Sequence, residues 1–396
     1  MSSSAISLRK VNHAYLQVQC DDRSTLMELS DFFTFYVPGY QHMPAYKNRV
    51  WDGKIRLLDS RTNKIYAGLY DYIRAFAEAE GRGYEIIDVE DPIYGPPRST
   101  EQVDLSYIND LSFSSKGHLI EPRDYQLDAV SHALTNRRSL LLSPTASGKS
   151  LIIYMICRWF LQNHDSKILI VVPTTSLVEQ MYSDFEDYAS ADESFSVEDV
   201  CQKIYGGKEK TADARIVIST WQSIYKLQKP WFQKFGCVIG DEAHNFKAKS
   251  LTSILTKLEE AEYRFGTTGT LDGTNTHKLV LEGLFGPVKQ VTSTRELMDS
   301  GSLASLNVNI LLLQYPEDVR KAVKGSKYHE ELEFIVTNEQ RNKFIRNLAL
   351  DQDGNTLVLF QYVEKHGKPL HDMIRKKAAD DRHVFYVSGE TDVEGR

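Results

Sequence analysis

Ser143-Pro144-Thr145-Ala146-Ser147-Gly148-Lys149-Ser150 is the stretch that decides how the rest of the chain is read. An apolar run of strand length, Ser139-Leu140-Leu141-Leu142, precedes it, and the apolar run Leu151 to Phe160 follows with room for three helical turns. Strand, tight loop and helix form the context in which Gly-Lys-Ser becomes a phosphate-binding loop. Backbone N–H groups of such a loop converge on one point, and the helix dipole favours negative charge there. In this reading Thr145, Ala146, Ser147 and Gly148 cradle the phosphates of ATP. Lys149 reaches the β- and γ-phosphates as a point charge, and the Ser150 hydroxyl ligates Mg²⁺. Ser143 stands where the pattern usually has its first glycine. The bland alternative is an incidental loop.

A chain of 396 residues has room for two or three domains, and its composition is that of ordinary globular proteins. The net charge of −7 excludes uniform coating of nucleic acid, so any such binding belongs to local basic patches. The four cysteines, Cys20, Cys157, Cys201 and Cys237, are far apart and show no metal-ligand spacing. They read as free thiols in a reducing compartment. No apolar run approaches the 18 or so residues of a spanning helix, and the first residues lack the apolar centre of a signal peptide. The expectation is an intracellular, cytoplasmic protein without a membrane partner.

Residues 1–97 read as a small α+β domain. Leu16, Val18 and Cys20 alternate with polar neighbours as in a half-buried strand. Ser24 to Phe35 reads as a helix capped by Ser24, Tyr66 to Glu80 as another, and Tyr84 to Val89 as a strand. Pro92, Gly95, Pro96 and Pro97 mark a linker. Between 41 and 65 stand six basic residues (Lys47, Arg49, Lys54, Arg56, Arg61, Lys64) and two acidic ones (Asp52, Asp59), a balance of 6 − 2 = +4. Tyr40, Tyr46 and Trp51 are interleaved with them. Cations for phosphates and rings for bases make a nucleic-acid surface, with Lys54 and Arg56 on one face of a strand. A hairpin with a solvated charged face and a buried Trp51 is the alternative.

Residues 98–290 alternate strands and helices. Arg123-Asp124-Tyr125-Gln126 opens a helix with Leu127, Val130, Ala133 and Leu134 on one face. Lys167 to Val172, Arg215 to Ser219, Cys237 to Gly240 and Tyr263 to Gly266 are apolar, as strands buried on both faces require. Each ends in a polar motif: Pro173-Thr174-Thr175, Ser219-Thr220-Trp221-Gln222, Asp241-Glu242-Ala243-His244 and Thr267-Thr268-Gly269-Thr270. In a parallel α/β sheet these motifs gather along one edge, where ligands bind. Asp241 there holds Mg²⁺, Glu242 polarises the attacking water, and His244 bridges to Thr268 and Thr270 to sense the nucleotide. A histidine such as His244, taken alone, is more often a surface or cap residue.

This ordered set resembles the superfamily 2 helicases and translocases over roughly residues 120–396, and the resemblance to their phage recombination members extends to Trp51–Leu57 of the first domain. Arg123 and Gln126 fall in what looks like the adenine-reading Q motif. Ser143 to Ser150 resembles motif I, Pro173-Thr174-Thr175 motif Ia, Ser219 to Gln222 motif Ib, Asp241 to His244 motif II, and Thr268-Gly269-Thr270 motif III. The resemblance implies a RecA-like motor that hydrolyses ATP and tracks a strand through Thr174, Thr220 and Trp221. It also implies branched or forked DNA and RNA–DNA hybrids as substrates, with roles in branch migration, recombination, repair and replication.

Residues 291–396 resemble the start of a second RecA-like domain. Leu306 to Leu313, Asn355 to Phe360 and His383 to Val387 read as strands, and Thr294 to Ser300, Glu339 to Leu350 and Lys365 to Lys377 as helices. Leu359-Phe360 resembles motif IV, and Tyr386 to Gly389 the motif after it. The arginine-finger element of the superfamily has no counterpart here, so the reading expects a C-terminally truncated chain that turns over ATP weakly on its own. Two other functions stay open: a nucleic-acid binding or annealing module that uses ATP only as a switch, and a restriction-type DNA translocase subunit. No nuclease motif of the P-D-x(n)-E-x-K kind favours the latter. The expected state is a monomer.

Overall fold

Seven parallel strands form the central sheet, in the order Cys201–Ile204, Ile216–Thr220, Lys167–Val172, Phe235–Asp241, Tyr263–Thr268, Arg138–Leu142 and Val288–Gln290. The computed structural model describes residues 5–89, 102–247, 249–271, 275–304 and 306–388; Pro92, Gly95, Pro96, Pro97 and Gly389 lie outside them. Lys167–Val172 shows why the sheet sits inside: five of its six residues are buried, and both neighbours pair with it in parallel. The strand entering the phosphate-binding loop and the strand ending at Asp241 flank Tyr263–Thr268, so their ends adjoin at one edge. The two outermost strands, Cys201–Ile204 and Val288–Gln290, are short and partly polar and carried no strand signal in the sequence.

The first domain has its own four-stranded sheet, in the order Lys64–Tyr66, Tyr15–Gln19, Ala5–Lys10, Glu85–Asp88. The helices Arg23–Phe32 and Tyr70–Glu78 lie near each other and bury Leu29, Ile73 and Phe76. Asp22, not Ser24, caps the first helix, because its carboxylate accepts from the amides of Ser24 and Thr25 at 3.1 Å each. That helix stops at Phe32, since Thr34–Tyr36 pairs as a strand with Lys54–Arg56. The helix expected from Tyr66 begins at Tyr70; Tyr66 itself ends a strand, and a 3₁₀ turn at Ala67–Leu69 intervenes.

The core of the first domain continues into one face of the motor sheet: Leu8, Leu16, Phe33 and Ile73 share a cluster with Leu140, Leu169 and Val238. The contact is tight. A Cβ on Gly68 would lie 2.0 Å from the Glu282 carbonyl oxygen, and Tyr72 donates its hydroxyl to Glu282 Oε2 at 2.6 Å. The other face of the sheet packs Ile153, Ile156 and Phe185 in a second cluster. Arg264, fully buried, donates to the carbonyls of Leu255 (2.6 Å), Leu258 (2.8 Å) and Leu284 (2.9 Å). These lie at or just beyond the C-terminal ends of two helices, where partial negative charge favours a cation.

The chain divides into two compact units, residues 1–305 and 306–396. The second carries the helices Glu317–Val323, Tyr328–Thr337, Glu339–Leu350 and Lys368–Arg375. The expected strands at 306–313, 355–360 and 383–387 do not form. These runs are apolar as strands often are, yet a strand exists only through its ladder, and none of the three has one among the described residues. Leu306, Val308, Ile310, Leu312, Leu357, Leu359 and Phe385 are correspondingly exposed. No helix among the described residues is long and apolar enough to cross a membrane.

Candidate functional site

The loop between Leu142 and the helix Lys149–Asn163 is held by its own serines. Ser143 and Ser147, both buried, share a hydrogen bond at 2.6 Å between their hydroxyls; Ser147 Oγ also reaches the Pro144 carbonyl at 2.6 Å. Ser143 N donates to the Thr268 carbonyl at 2.8 Å, which ties the loop to the adjacent strand. A serine therefore serves at the position of the usual first glycine. Gly148 cannot be replaced in the same way: its φ is +77°, and a Cβ would lie 2.3 Å from Gln126 Nε2. Thr145 and Ala146 are exposed at the tip, with Ala146 left-handed at φ 66.

Gln126 is buried against this loop and donates through Nε2 to the Ser147 carbonyl at 2.8 Å. Its Oε1 accepts from the Arg123 amide, closing a capping box at the start of the helix Asp124–Asn136. Arg123 is exposed and its guanidinium donates to the Tyr125 hydroxyl at 2.9 Å. Tyr125 in turn donates to the Ser147 carbonyl at 3.1 Å, a contact absent from the sequence reading although the residue stands inside the quoted motif.

Lys149 Nζ donates to Glu242 Oε1 at 3.1 Å, and Glu242 Oε2 lies 3.3 Å from His244 Nδ1. His244 Nδ1 is 3.0 Å from Thr268 Oγ1, whose own hydrogen goes to the Thr270 carbonyl at 2.9 Å. Thr268 is thus the acceptor and His244 Nδ1 carries the hydrogen. Thr270 joins through its backbone, not through the hydroxyl expected from sequence. A Cβ on Gly269 would sit 3.8 Å from Lys149 Nζ, which shows how near the two motifs lie. Asp241 is buried, and its Oδ1 accepts the Thr267 hydroxyl at 2.6 Å. Burial raises the Asp241 carboxyl above the ordinary carboxylate range, against the opposing pull of Thr267 and Lys149. Burial likewise raises the carboxyl of Asp184 on the helix Thr175–Ala189, against the opposing pull of the Ser150 hydroxyl. Tyr188 and Asp184 escaped the sequence reading because they carry no local signal; Thr267 was quoted within its motif but given no role. Lysine, hydroxyl and carboxylate together are a donor set that fits a magnesium–nucleotide complex.

The sequence and the fold recur in known proteins. Residues 5–88 match the family model described as DNA helicase UvsW, N-terminal, and residues 119–273 match type III restriction enzyme, res subunit. The ATP-dependent DNA helicase UvsW of Enterobacteria phage T4 is 36% identical over 392 residues, covering 97% of this chain and 75% of that protein. The chain belongs to the UvsW family of ATP-dependent DNA helicases. A crystal structure of T4 UvsW superposes with TM-score 0.64 at 35% identity, covering 98% of this chain and 76% of that one. The DNA 3'-5' translocase XPB2 of Sulfurisphaera tokodaii is 27% identical over 224 residues, 57% of this chain and 47% of that protein. The RecA-like reading of the sheet and the UvsW-like reading of the first domain both stand.

The residues expected to meet nucleic acid are more scattered in character. Thr174 caps the helix Thr175–Ala189 from an exposed position and accepts from the Leu177 amide. Thr220 is buried and its hydroxyl is turned inward onto Ser223 at 2.9 Å. Trp221 is half-buried and packs edge-on against Tyr225. In the first domain, Lys54 lies over the Tyr36 ring at 5.0 Å, and Tyr36 stacks on Tyr40 with centroids 4.7 Å apart. Arg56 pairs with Asp52 at 2.5 Å. Trp51 is half-buried and donates Nε1–H to the Lys54 carbonyl at 2.9 Å. Every residue from Gln41 to Val50 is exposed, including Lys47 and Arg49.

Proposed function

We propose that this helicase uses Mg²⁺–ATP to drive movement on branched or forked DNA and on RNA–DNA hybrids, in branch migration and R-loop unwinding during recombination and repair. The meeting of Lys149, Glu242, His244 and Thr268 in one run of polar contacts at the sheet edge carries the reading. Arg123 and Gln126 read the base, and Thr145 to Ser150 hold the phosphates. Ser150 and Asp241 hold the metal, which supplies charge to the phosphates being separated. Lys149 exchanges Glu242 for phosphate oxygens, and Glu242, so released, orients the attacking water. His244 relays the state of the site to Thr268 and Thr270, beside the strand that follows the site. Thr174, Thr220 and Trp221 face the tracked strand, with Thr220 contributing backbone, and Lys54 and Arg56 grip the rest of the fork. The protein works as a monomer in the cytoplasm, the host's if it is encoded by a phage.

Two variants separate the roles. Lys149→Ala loses nucleotide binding, whereas Glu242→Gln keeps binding and loses hydrolysis. Hydrolysis by Glu242→Gln at the parent rate overturns the role given to Glu242. Binding of nucleotide by the parent chain without DNA-dependent turnover favours the switch-only reading.

A further inference from the structure

Ser150 is the second residue of its helix, and its hydroxyl lies 2.8 Å from the phenol oxygen of Tyr188. Tyr188 comes from the helix Thr175–Ala189 and belongs to none of the quoted motifs. Its ring is set against Tyr154, centroids 5.7 Å apart, and Tyr154 is buried edge-on against Phe185 at 5.2 Å. The phenol is therefore packed in place.

A serine hydroxyl has one hydrogen and two lone pairs. Ligating a cation uses a lone pair, so the hydrogen needs an acceptor and the oxygen a defined orientation. Asp241, the carboxylate on the facing strand, already has Oδ1 engaged by Thr267 at 2.6 Å. The partner that meets the Ser150 hydroxyl comes instead from the helix Thr175–Ala189. We infer that Tyr188 is a positioning residue for the metal: its hydroxyl fixes the Ser150 oxygen so that a lone pair points to a divalent cation. This rests on the reading of Ser150 as the metal ligand.

Tyr188→Phe removes the hydroxyl and keeps the ring contacts. The full chain is titrated with a fluorescent ATP analogue, in EDTA and over a range of Mg²⁺, for the parent, Tyr188→Phe, Ser150→Ala and the double variant. Binding in EDTA stays unchanged in Tyr188→Phe, while the Mg²⁺ concentration for half-maximal tightening rises about three- to tenfold, as for loss of one neutral hydrogen bond. In the Ser150→Ala background the second change adds nothing. A Tyr188→Phe protein with the parent's Mg²⁺ requirement, beside a Ser150→Ala protein that needs more, overturns the role of Tyr188 alone. An unchanged requirement in Ser150→Ala overturns the metal reading and the inference with it. An equal loss with and without Mg²⁺ in Tyr188→Phe marks altered packing and also overturns it.

Discussion

Glu242 adopts φ 50, a left-handed conformation that non-glycine residues rarely hold. Such strain costs about 1–3 kcal/mol and persists where the surroundings over-determine it. Here the side chain faces Lys149 and His244, and the residue follows a buried strand end paired to Thr267. The motif was legible as letters, because a carboxylate pair after an apolar strand has few other uses; its backbone strain was not, since nothing local requires it. His13 was not legible at all. It sits in a turn of the first domain, donates its amide to the Glu259 carbonyl at 3.0 Å, and its own carbonyl accepts from Arg138. Burial, then Lys10 and Arg138, push its imidazole from 6.5 down to about 3. The folded chain keeps His13 neutral where the unfolded chain protonates it. Stability therefore falls as pH drops below 6.5 toward 3. Thermal unfolding at pH 7 and pH 5 checks this: the parent loses more Tm on acidification than His13→Gln, and equal losses contradict it.

At the scale of elements, the buried parallel strands and the helices between them could be read with boundaries a few residues out, because apolar runs of that length bury on both faces. The strand Lys54–Arg56 was also legible, with Ile55 packed against the core cluster, but its partner is Thr34–Tyr36 rather than a neighbour in a hairpin. The pairing of Arg56 with Asp52 was not, although the two stand four apart, since spacing does not show which face a charge takes. That pair bears on the nucleic-acid surface. Asp52 already neutralises Arg56, so Lys54 carries more of any phosphate contact. Lys54→Ala with Arg56→Ala is expected to weaken binding of labelled forked DNA and to lower the slope of log affinity against log salt by about one to two contacts. ATP binding stays at the parent value. An unchanged affinity and slope in the folded variant return the stretch to a solvated hairpin.

For the molecule as a whole, the shared core of the first domain and the motor face is the feature no local pattern announced. Pro92, Gly95, Pro96 and Pro97 suggest a linker and hence separate bodies, whereas the contacts at Gly68, Tyr72 and His13 fasten one to the other. Gly68→Val drives side-chain atoms into the Glu282 backbone and is expected to cost about 1–3 kcal/mol, the range for overpacking a filled core. Urea unfolding measures it, and a cost near zero shows the joint to be slack. In the second unit the helix Glu339–Leu350 was legible but the strands were misread: apolar runs of strand length do not supply a neighbour to pair with.

The most direct test of the central claim compares ATP hydrolysis by the full chain with forked DNA, plain duplex and single strand, for the parent and Glu242→Gln. The account expects the fork to raise the parent's rate above either simpler DNA, whatever the basal rate, and no rise at all in Glu242→Gln. Equal rates on all three DNAs, or fork-stimulated hydrolysis by Glu242→Gln, contradict it.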